Sequence, residues 1–417
     1  MTDFGSLARL EARGHWGIKC GLDNPRRLLG ALGQPQDAFP SVLLAGTNGK
    51  GSTGAFLAHA LRACGLRVGW TTSPHLVSPV ERVWVDGACL AEAALDRLLA
   101  QAFQAEAALG LQATYFELMI AAAFLAFREA GVDLAVVEVG MGGRWDATNV
   151  AEPVLTILTN VEMDHMRYLG DTREAIAREK LCTARTGRPL VLGPGLEPDW
   201  LGPLLECEPV LVPAPPLAAE TLAWDHSLVQ GHPIPLAGRH QLDNLATAWE
   251  ALRGLGRLGF PVTAERAWQG IENTVWPGRL WKAPGLDRVY MDGAHNLDGA
   301  RALARHARDT GVRPHLFFSV MGDKDLAGMK GQLETMDPIG VTLVRGENGR
   351  YASAEQLRGL WGRDQEVLDI PAAADRLRQP CQDIRLVCGS LYFIGDLLTA
   401  LGSPLAARPP GPGPAAP

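Results

Sequence analysis

Short, nearly unbroken apolar runs alternate with longer stretches of helical spacing through the first half of the chain. Ser41–Gly46 predicts a strand feeding a glycine-rich turn, and Ser52–Cys64 predicts the helix behind it. Leu66–Thr71, Asp133–Val139, Pro153–Thr159 and Pro189–Leu192 read as further strands. Runs such as Asp133–Val139 lack in–out alternation, as expected of strands covered on both faces. Helical spacing marks Glu92–Leu109, Tyr115–Ala130, Thr172–Ala184 and Gln241–Leu258. Strands alternating with helices predict an α/β fold with a doubly wound parallel sheet.

The pattern restarts after Trp276-Pro277-Gly278-Arg279. Arg288–Met291, His315–Val320, Gly340–Val344 and Ile384–Val387 read as strands, with helices at Leu297–Thr310, Leu326–Glu334 and Leu391–Leu401. These make a second, smaller α/β unit. Pro277, Gly278, Pro284 and Gly285 cluster between the two, the composition of a domain boundary. The expected organisation is a large unit over 1–282, a small unit over 283–403, and a Pro/Gly-rich tail over 404–417 that is expected to be disordered.

Composition narrows the function. The 417 residues are 47% hydrophobic and 20% charged, as in a folded protein of more than one domain. A net charge of −7 leaves no basic excess to match nucleic-acid phosphates. Residues 1–20 carry no signal-peptide apolar core, and the longest apolar run, 118–127, is too short to cross a bilayer. The seven cysteines are scattered without a CxxC pair, which predicts reduced thiols, a cytoplasmic location and no zinc. Only six of the 39 basic residues are lysines, so a lysine inside a motif is less readily a generic positive charge.

Ala45-Gly-Thr-Asn-Gly-Lys-Gly-Ser-Thr53 lies between a predicted strand and a predicted helix. In that context backbone N–H groups and a helix N-terminus cradle phosphates. Thr47, Asn48, Gly49 and Gly51 supply the backbone, Lys50 a charge for the β/γ-phosphates, and Ser52 or Thr53 a hydroxyl for Mg²⁺. It is not a standard Walker loop, because Leu44 stands where the first glycine belongs and Gly51 separates Lys50 from Ser52. Glu138 emerges at the C-terminal end of a buried strand ahead of three glycines, where α/β sheets bind ligands. Asp164-His165 follows the next strand, and a neutral imidazole there is a possible metal ligand.

GTNGKGS resembles the nucleotide loop of the folylpolyglutamate synthase/dihydrofolate synthase family, relatives of the Mur peptidoglycan ligases. The resemblance implies a Mur-ligase-like fold with a nucleotide-binding unit and a C-terminal glutamate-ligase unit. Thr72-Ser73-Pro74-His75-Leu76 is similar to the family's substrate loop, which implies Ser73 as a Mg²⁺ ligand and Thr72, Pro74 and His75 at the substrate. Glu138-Val-Gly-Met-Gly-Gly-Arg-Trp-Asp-Ala-Thr-Asn149 matches a family run that usually has Leu at the Met141 and Trp145 positions. It implies Glu138 as a second metal ligand, with Arg144, Asp146 and Asn149 shaping the substrate side. His165 resembles the family's histidine ligand. Ile176-Ala-Arg-Glu-Lys180 resembles the segment holding its carbamylated lysine, although Leu181-Cys182-Thr183 departs from the usual continuation.

The same resemblance places Asn244, Arg279, Asp292 and His295 at ATP, and Lys324 and Asp325 near the incoming glutamate. Cys388-Gly-Ser-Leu-Tyr392 is the last motif, and the series runs in family order from about residue 17 to 396. It implies ATP, two Mg²⁺ sites and small-molecule partners, while the acidic, patch-poor composition predicts no nucleic acid, no membrane and a monomeric chain. The implied reaction joins L-glutamate to dihydropteroate, to folate, or to both through an acyl phosphate. Lys50, Glu138, His165 and Lys180 are the implied catalytic set, and no residue is assigned as the base for the glutamate amine. Two rival readings are a ligase of UDP-muramoyl substrates and a non-catalytic ATP-binding protein.

Overall fold

The structure is a computed structural model that describes residues 5–14, 21–347, 349–362 and 365–402. The expected tail over 404–417 lies outside the described residues.

Eight strands form the large sheet: β1 (Ser41–Ala45), β2 (Val68–Thr71), β3 (Val83–Val85), β4 (Ala88–Cys89), β5 (Leu134–Glu138), β6 (Leu155–Leu158), β7 (Pro189–Leu192) and β8 (Val210–Pro213). Their order is β4-β3-β2-β5-β1-β6-β7-β8. All pairings are parallel except those of β3 and β4, which add an antiparallel edge. Alternate side chains of the central strands divide between two cores. Val42, Leu44, Val136 and Ile157 pack under helices Lys50–Ala63 and Arg239–Arg257. Leu43, Ala135 and Val137 pack under helices Glu92–Ala108 and Tyr115–Ala130. Each fully buried leucine in these layers contributes roughly 1.5–3 kcal/mol relative to exposure.

Register decides what the strand ends present. Leu44 pairs with Glu138, Ala45 with Leu158, and Thr71 with Val137. The chain therefore leaves β1, β2, β5 and β6 at one edge of the sheet. The phosphate loop, Thr72, Glu138 and Thr159-Asn160 all start there, as ligand-binding α/β sheets require.

A three-stranded antiparallel sheet follows, made of β9 (Thr221–Leu222), β10 (Ser227–Val229) and β11 (His232–Ile234). The small unit contains β12 (Trp281–Lys282), β13 (Val289–Asp292), β14 (His315–Phe318), β15 (Gly340–Arg345), β16 (Val367–Asp369) and β17 (Arg385–Cys388). Its order is β12-β13-β17-β14-β15-β16, parallel but for β12. Because β12 already belongs to this sheet, the chain enters it at Trp281, two residues before the expected division at 282/283. Among the described residues no helix is long and apolar enough to cross a membrane.

Candidate active site

The phosphate loop is held from both sides. Asn160 Oδ1 accepts the Asn48 N–H at 2.8 Å and the Thr47 N–H at 3.2 Å. The Thr159 hydroxyl donates to Asn48 O at 2.6 Å. Gly49 has φ +82°, and a Cβ there would stand 2.1 Å from Asn244 Oδ1, so only glycine suits the position. Gly51 lies close to the Trp276 ring, which is 3.0 Å from its imagined Cβ. Ser52 and Thr53 are buried in the first turn of helix Lys50–Ala63, and the Thr53 hydroxyl has no hydrogen-bond partner.

Two lysines converge beneath this loop. Lys50 Nζ donates to Gly46 O at 3.0 Å and to Thr47 O at 3.2 Å, and Lys180 Nζ donates to Gly46 O at 3.0 Å. Lys180 is 4% exposed. Burial and the neighbouring Lys50 charge pull its ammonium down to about 7, so a neutral amine is populated there at physiological pH. Gly46, Lys50, Gly140, Asp164, His165 and Lys180 line one small cleft.

Glu138 lies at the end of β5, within electrostatic reach of Lys50. It is 4% exposed and accepts the Thr72 hydroxyl at 2.5 Å. Burial pushes its carboxyl above the ordinary range, against the pull of Lys50, the Thr72 hydroxyl, Arg279 and the Ser73 N–H. The loop after β2 is fixed by Glu81, whose carboxylate accepts the N–H groups of Leu76, Val77 and Ser78 at 2.7–2.8 Å. The Ser73–Pro74 bond is cis, and His75 Nδ1 accepts from Arg82 Nε at 2.9 Å.

His165 caps the short helix Met166–Leu169 with φ +51°. Desolvation lowers its pKa, with Lys324, Lys50 and Lys180 acting the same way and Asp164 opposing. A neutral ring, the form that binds metal, results. Burial works against the charged form of Asp164, but His165, Lys324 and His295 more than offset it and hold the carboxyl below its usual range.

The small unit supplies the facing wall. Lys324 Nζ stands 4.0 Å from Asp164 Oδ1, and Asn296 Nδ2 donates to Asn48 Oδ1 at 3.1 Å. Buried Asp292 accepts the Leu280 and Ala294 N–H groups, which fixes the backbone beside Arg279. Burial lowers the pKa of Arg279, while Asp292 and Glu138 favour its charged form. Burial also keeps His295 neutral, with its Nδ1 against Gly293 O at 2.8 Å.

Other predicted site residues are engaged by the framework. Arg144 pairs with Glu179 at 2.9 Å and Glu206 at 2.6 Å. Asp146 accepts the Met141 and Thr148 N–H groups and the Thr148 hydroxyl, organising the glycine turn after β5. Asn149 Nδ2 donates to the Arg144 and Cys182 carbonyls, and Asp325 caps helix Leu326–Glu334 through the Gly328 N–H. Among the described residues no three His, Cys, Asp or Glu side chains gather as a ready metal cage, so the implied ligand set leans on hydroxyls. Sequence reasoning passed over Asn160, Asn296 and Arg82. Asn160 pairs with Asn48 of the loop after β1, Asn296 with the same Asn48, and Arg82 with His75, so each is identified by a partner from another segment.

A parallel sheet with a phosphate loop leaving its central strand, faced by a second α/β unit across a lysine- and carboxylate-lined cleft, is the arrangement of a Mur-type ligase. The Mur ligase middle domain matches residues 44–182, which hold the phosphate loop, Glu138, His165 and Lys180. The dihydrofolate synthase/folylpolyglutamate synthase of Bacillus subtilis is 32% identical over 421 residues, spanning 93% of this chain and 96% of the relative. Escherichia coli FolC in complex with DHPP and ADP superposes with a TM-score of 0.82 at 29% identity, covering 95% of this chain and 96% of that one. A bifunctional folylpolyglutamate synthase/dihydrofolate synthase with Mn, AMPPNP and L-glutamate bound gives 0.81 at 29%, covering 95% and 98%. The chain belongs to the folylpolyglutamate synthase/dihydrofolate synthase family.

Proposed function

We propose that this chain uses ATP to join L-glutamate to a folate-type acceptor, dihydropteroate, folate or both, releasing ADP and phosphate. The observation that carries the reading is the convergence of Lys50 and Lys180 on the Gly46 carbonyl, with the buried Glu138 carboxyl within electrostatic reach of Lys50. Similar proteins with ADP and DHPP, and with AMPPNP, Mn and L-glutamate, support an ATP- and divalent-metal-dependent ligation.

Lys50 and Arg279 grip the phosphates, while the loop from Thr47 to Thr53 and the side chains of Asn244, Asp292 and His295 seat the nucleotide. The acceptor carboxylate attacks the γ-phosphate, and the glutamate amine then displaces phosphate from the acyl phosphate. Thr72, Ser73, Pro74 and His75 hold the acceptor, with Arg144 and Asp146 shaping its pocket through the loop they organise. Lys324 and Asp325 lie toward the glutamate.

The donor set fits Mg²⁺, which prefers oxygen ligands and keeps waters. Ser52, Ser73, Glu138 and His165 would hold it, and a carbamylated Lys180 would add an anionic ligand for a second ion. When bound, the ions neutralise charge on the phosphoryl oxygens. The small unit, whose sheet the chain enters at Trp281, excludes water from the acyl phosphate. The chain acts as a monomer in the cytoplasm on small molecules.

The test is isotope transfer. Acceptor labelled with ¹⁸O in its carboxylate yields phosphate carrying one ¹⁸O per ligation under this reading, and unlabelled phosphate would exclude an acyl phosphate.

A further inference from the structure

Helix Leu391–Ala400 carries a buried glycine, Gly395, in its interior. Glycine there weakens a helix relative to alanine, and Gly395 has no positive φ that would call for it. Its use lies across the domain boundary. A Cβ at 395 would stand 1.9 Å from the backbone oxygen of Leu76 and 2.8 Å from its carbonyl carbon. The substrate loop of the large unit thus rests directly on the small unit's last helix.

The Leu76 side chain extends the contact. It lies beside Gly278 of the segment joining the two units, together with Leu391 and Ile394 of the same helix. Leu76 and Val77 pack against the small unit's core rather than their own. Glu81 ties Leu76, Val77 and Ser78 through three N–H groups, so this end of the loop shifts as one body. At its other end the Thr72 hydroxyl and the Ser73 N–H bind Glu138.

We infer that Leu76 and Gly395 are positioning residues, through which the seating of the small unit sets Thr72 and Ser73 against Glu138. Seated on Gly395, the loop presents its acceptor-binding end correctly; lifted away, it does not. The inference rests on the proposed role of Ser73 and Glu138, so its test needs one readout that does not depend on activity.

Gly395→Ala, Leu76→Ala and Leu76→Met are compared with the unaltered chain. Gly395→Ala is expected to speed hydrogen exchange at the Leu76, Val77 and Ser78 amides while leaving AMPPNP affinity unchanged. Its kcat should fall on the order of 10²-fold, as for displacement of a catalytic group by about 1 Å, with a raised acceptor KM. Leu76→Ala should shift kcat and acceptor KM in the same directions, and Leu76→Met should restore both. Should Gly395→Ala fail to fold, the Leu76 pair decides. Unchanged exchange and kinetics in Gly395→Ala and Leu76→Ala would overturn the inference, as would a loss of AMPPNP affinity in step with kcat or no recovery in Leu76→Met. Inactivity of the unaltered chain with faster exchange in Gly395→Ala would instead count against the proposed function alone.

Discussion

Asn296 joins the two units at the phosphate loop: its Nδ2 donates to Asn48 Oδ1 at 3.1 Å while its Oδ1 accepts the Gly299 N–H at 2.8 Å. One side chain therefore caps a helix of the small unit and touches the nucleotide loop of the large one. The two roles separate by substitution. Asn296→Asp keeps the cap acceptor, loses the donor, and places a negative charge beside the phosphates. Its melting temperature should stay near that of the unaltered chain while kcat/KM for ATP falls about tenfold, the worth of one hydrogen bond. Asn296→Ala should lose the cap as well, at about 1 kcal/mol, visible in denaturant unfolding. Full activity in Asn296→Asp would show that the contact is incidental.

Lys180 gives a prediction in pH. Burial and Lys50 bring its ammonium down to about 7, and only the neutral amine reacts with CO₂. The carbamate, and activity with it, should rise between roughly pH 6 and 8, where an ordinary lysine stays protonated. Carbon NMR with ¹³C-bicarbonate should detect the carbamate in the unaltered chain and not in Lys180→Arg. That variant should lose at least about 10²-fold in kcat. A fully active Lys180→Arg would remove the modification from the account.

Glu138 should trade stability for function. Its folded carboxyl is raised by burial, so its contribution to stability is present at low pH and lost as pH rises through the folded value. At neutral pH, with divalent metal chelated, Glu138→Gln should therefore melt at or above the temperature of the unaltered chain. Its ligation rate should drop on the order of 10²–10³-fold. A lower melting temperature would mean that the carboxylate stabilises the loops by its charge.

Gly49 and Gly195 share nearly the same φ, +82° and +83°, but differ in what a side chain would meet. At 195 nothing lies within 4 Å; at 49 the Asn244 amide oxygen is 2.1 Å away. Gly195→Ala should cost only the left-handed backbone penalty of about 1–2 kcal/mol. Gly49→Ala should cost more and weaken ATP binding besides. Equal losses in both, measured by denaturant unfolding and nucleotide titration, would show that the loop yields to the added methyl group.

The sequence makes the long, locally coded elements plain. Tyr115–Ala130, with its capping box at Thr114 and Glu117 and its Gly131 stop, is read to the residue. So are Leu297–Thr310, Leu326–Glu334 and Pro189–Leu192. Strands β9 to β11 pass unnoticed because two or three residues carry no periodicity, and their stability comes from pairing with one another. Helices Ala264–Glu272, Ala354–Trp361 and Ile370–Arg378 also go unread. At the site, the candidate residues are legible because Lys50 and Glu138 sit in motifs at strand ends and Lys180 in a motif on helix Arg173–Leu181. The partners that decide what Arg144 and Asn296 touch are not, since Glu206 is 62 positions from Arg144 and Asn48 is 248 from Asn296. Spacing along the chain carries no trace of such pairs.

The most direct test of the central claim is ATP-dependent incorporation of labelled L-glutamate, with dihydropteroate and tetrahydrofolate as separate acceptors and ADP followed alongside. The account predicts incorporation with at least one acceptor, one ADP for each amide formed, and strict dependence on a divalent metal. Folded protein that incorporates glutamate into neither acceptor, with Mg²⁺ and bicarbonate present, would contradict it.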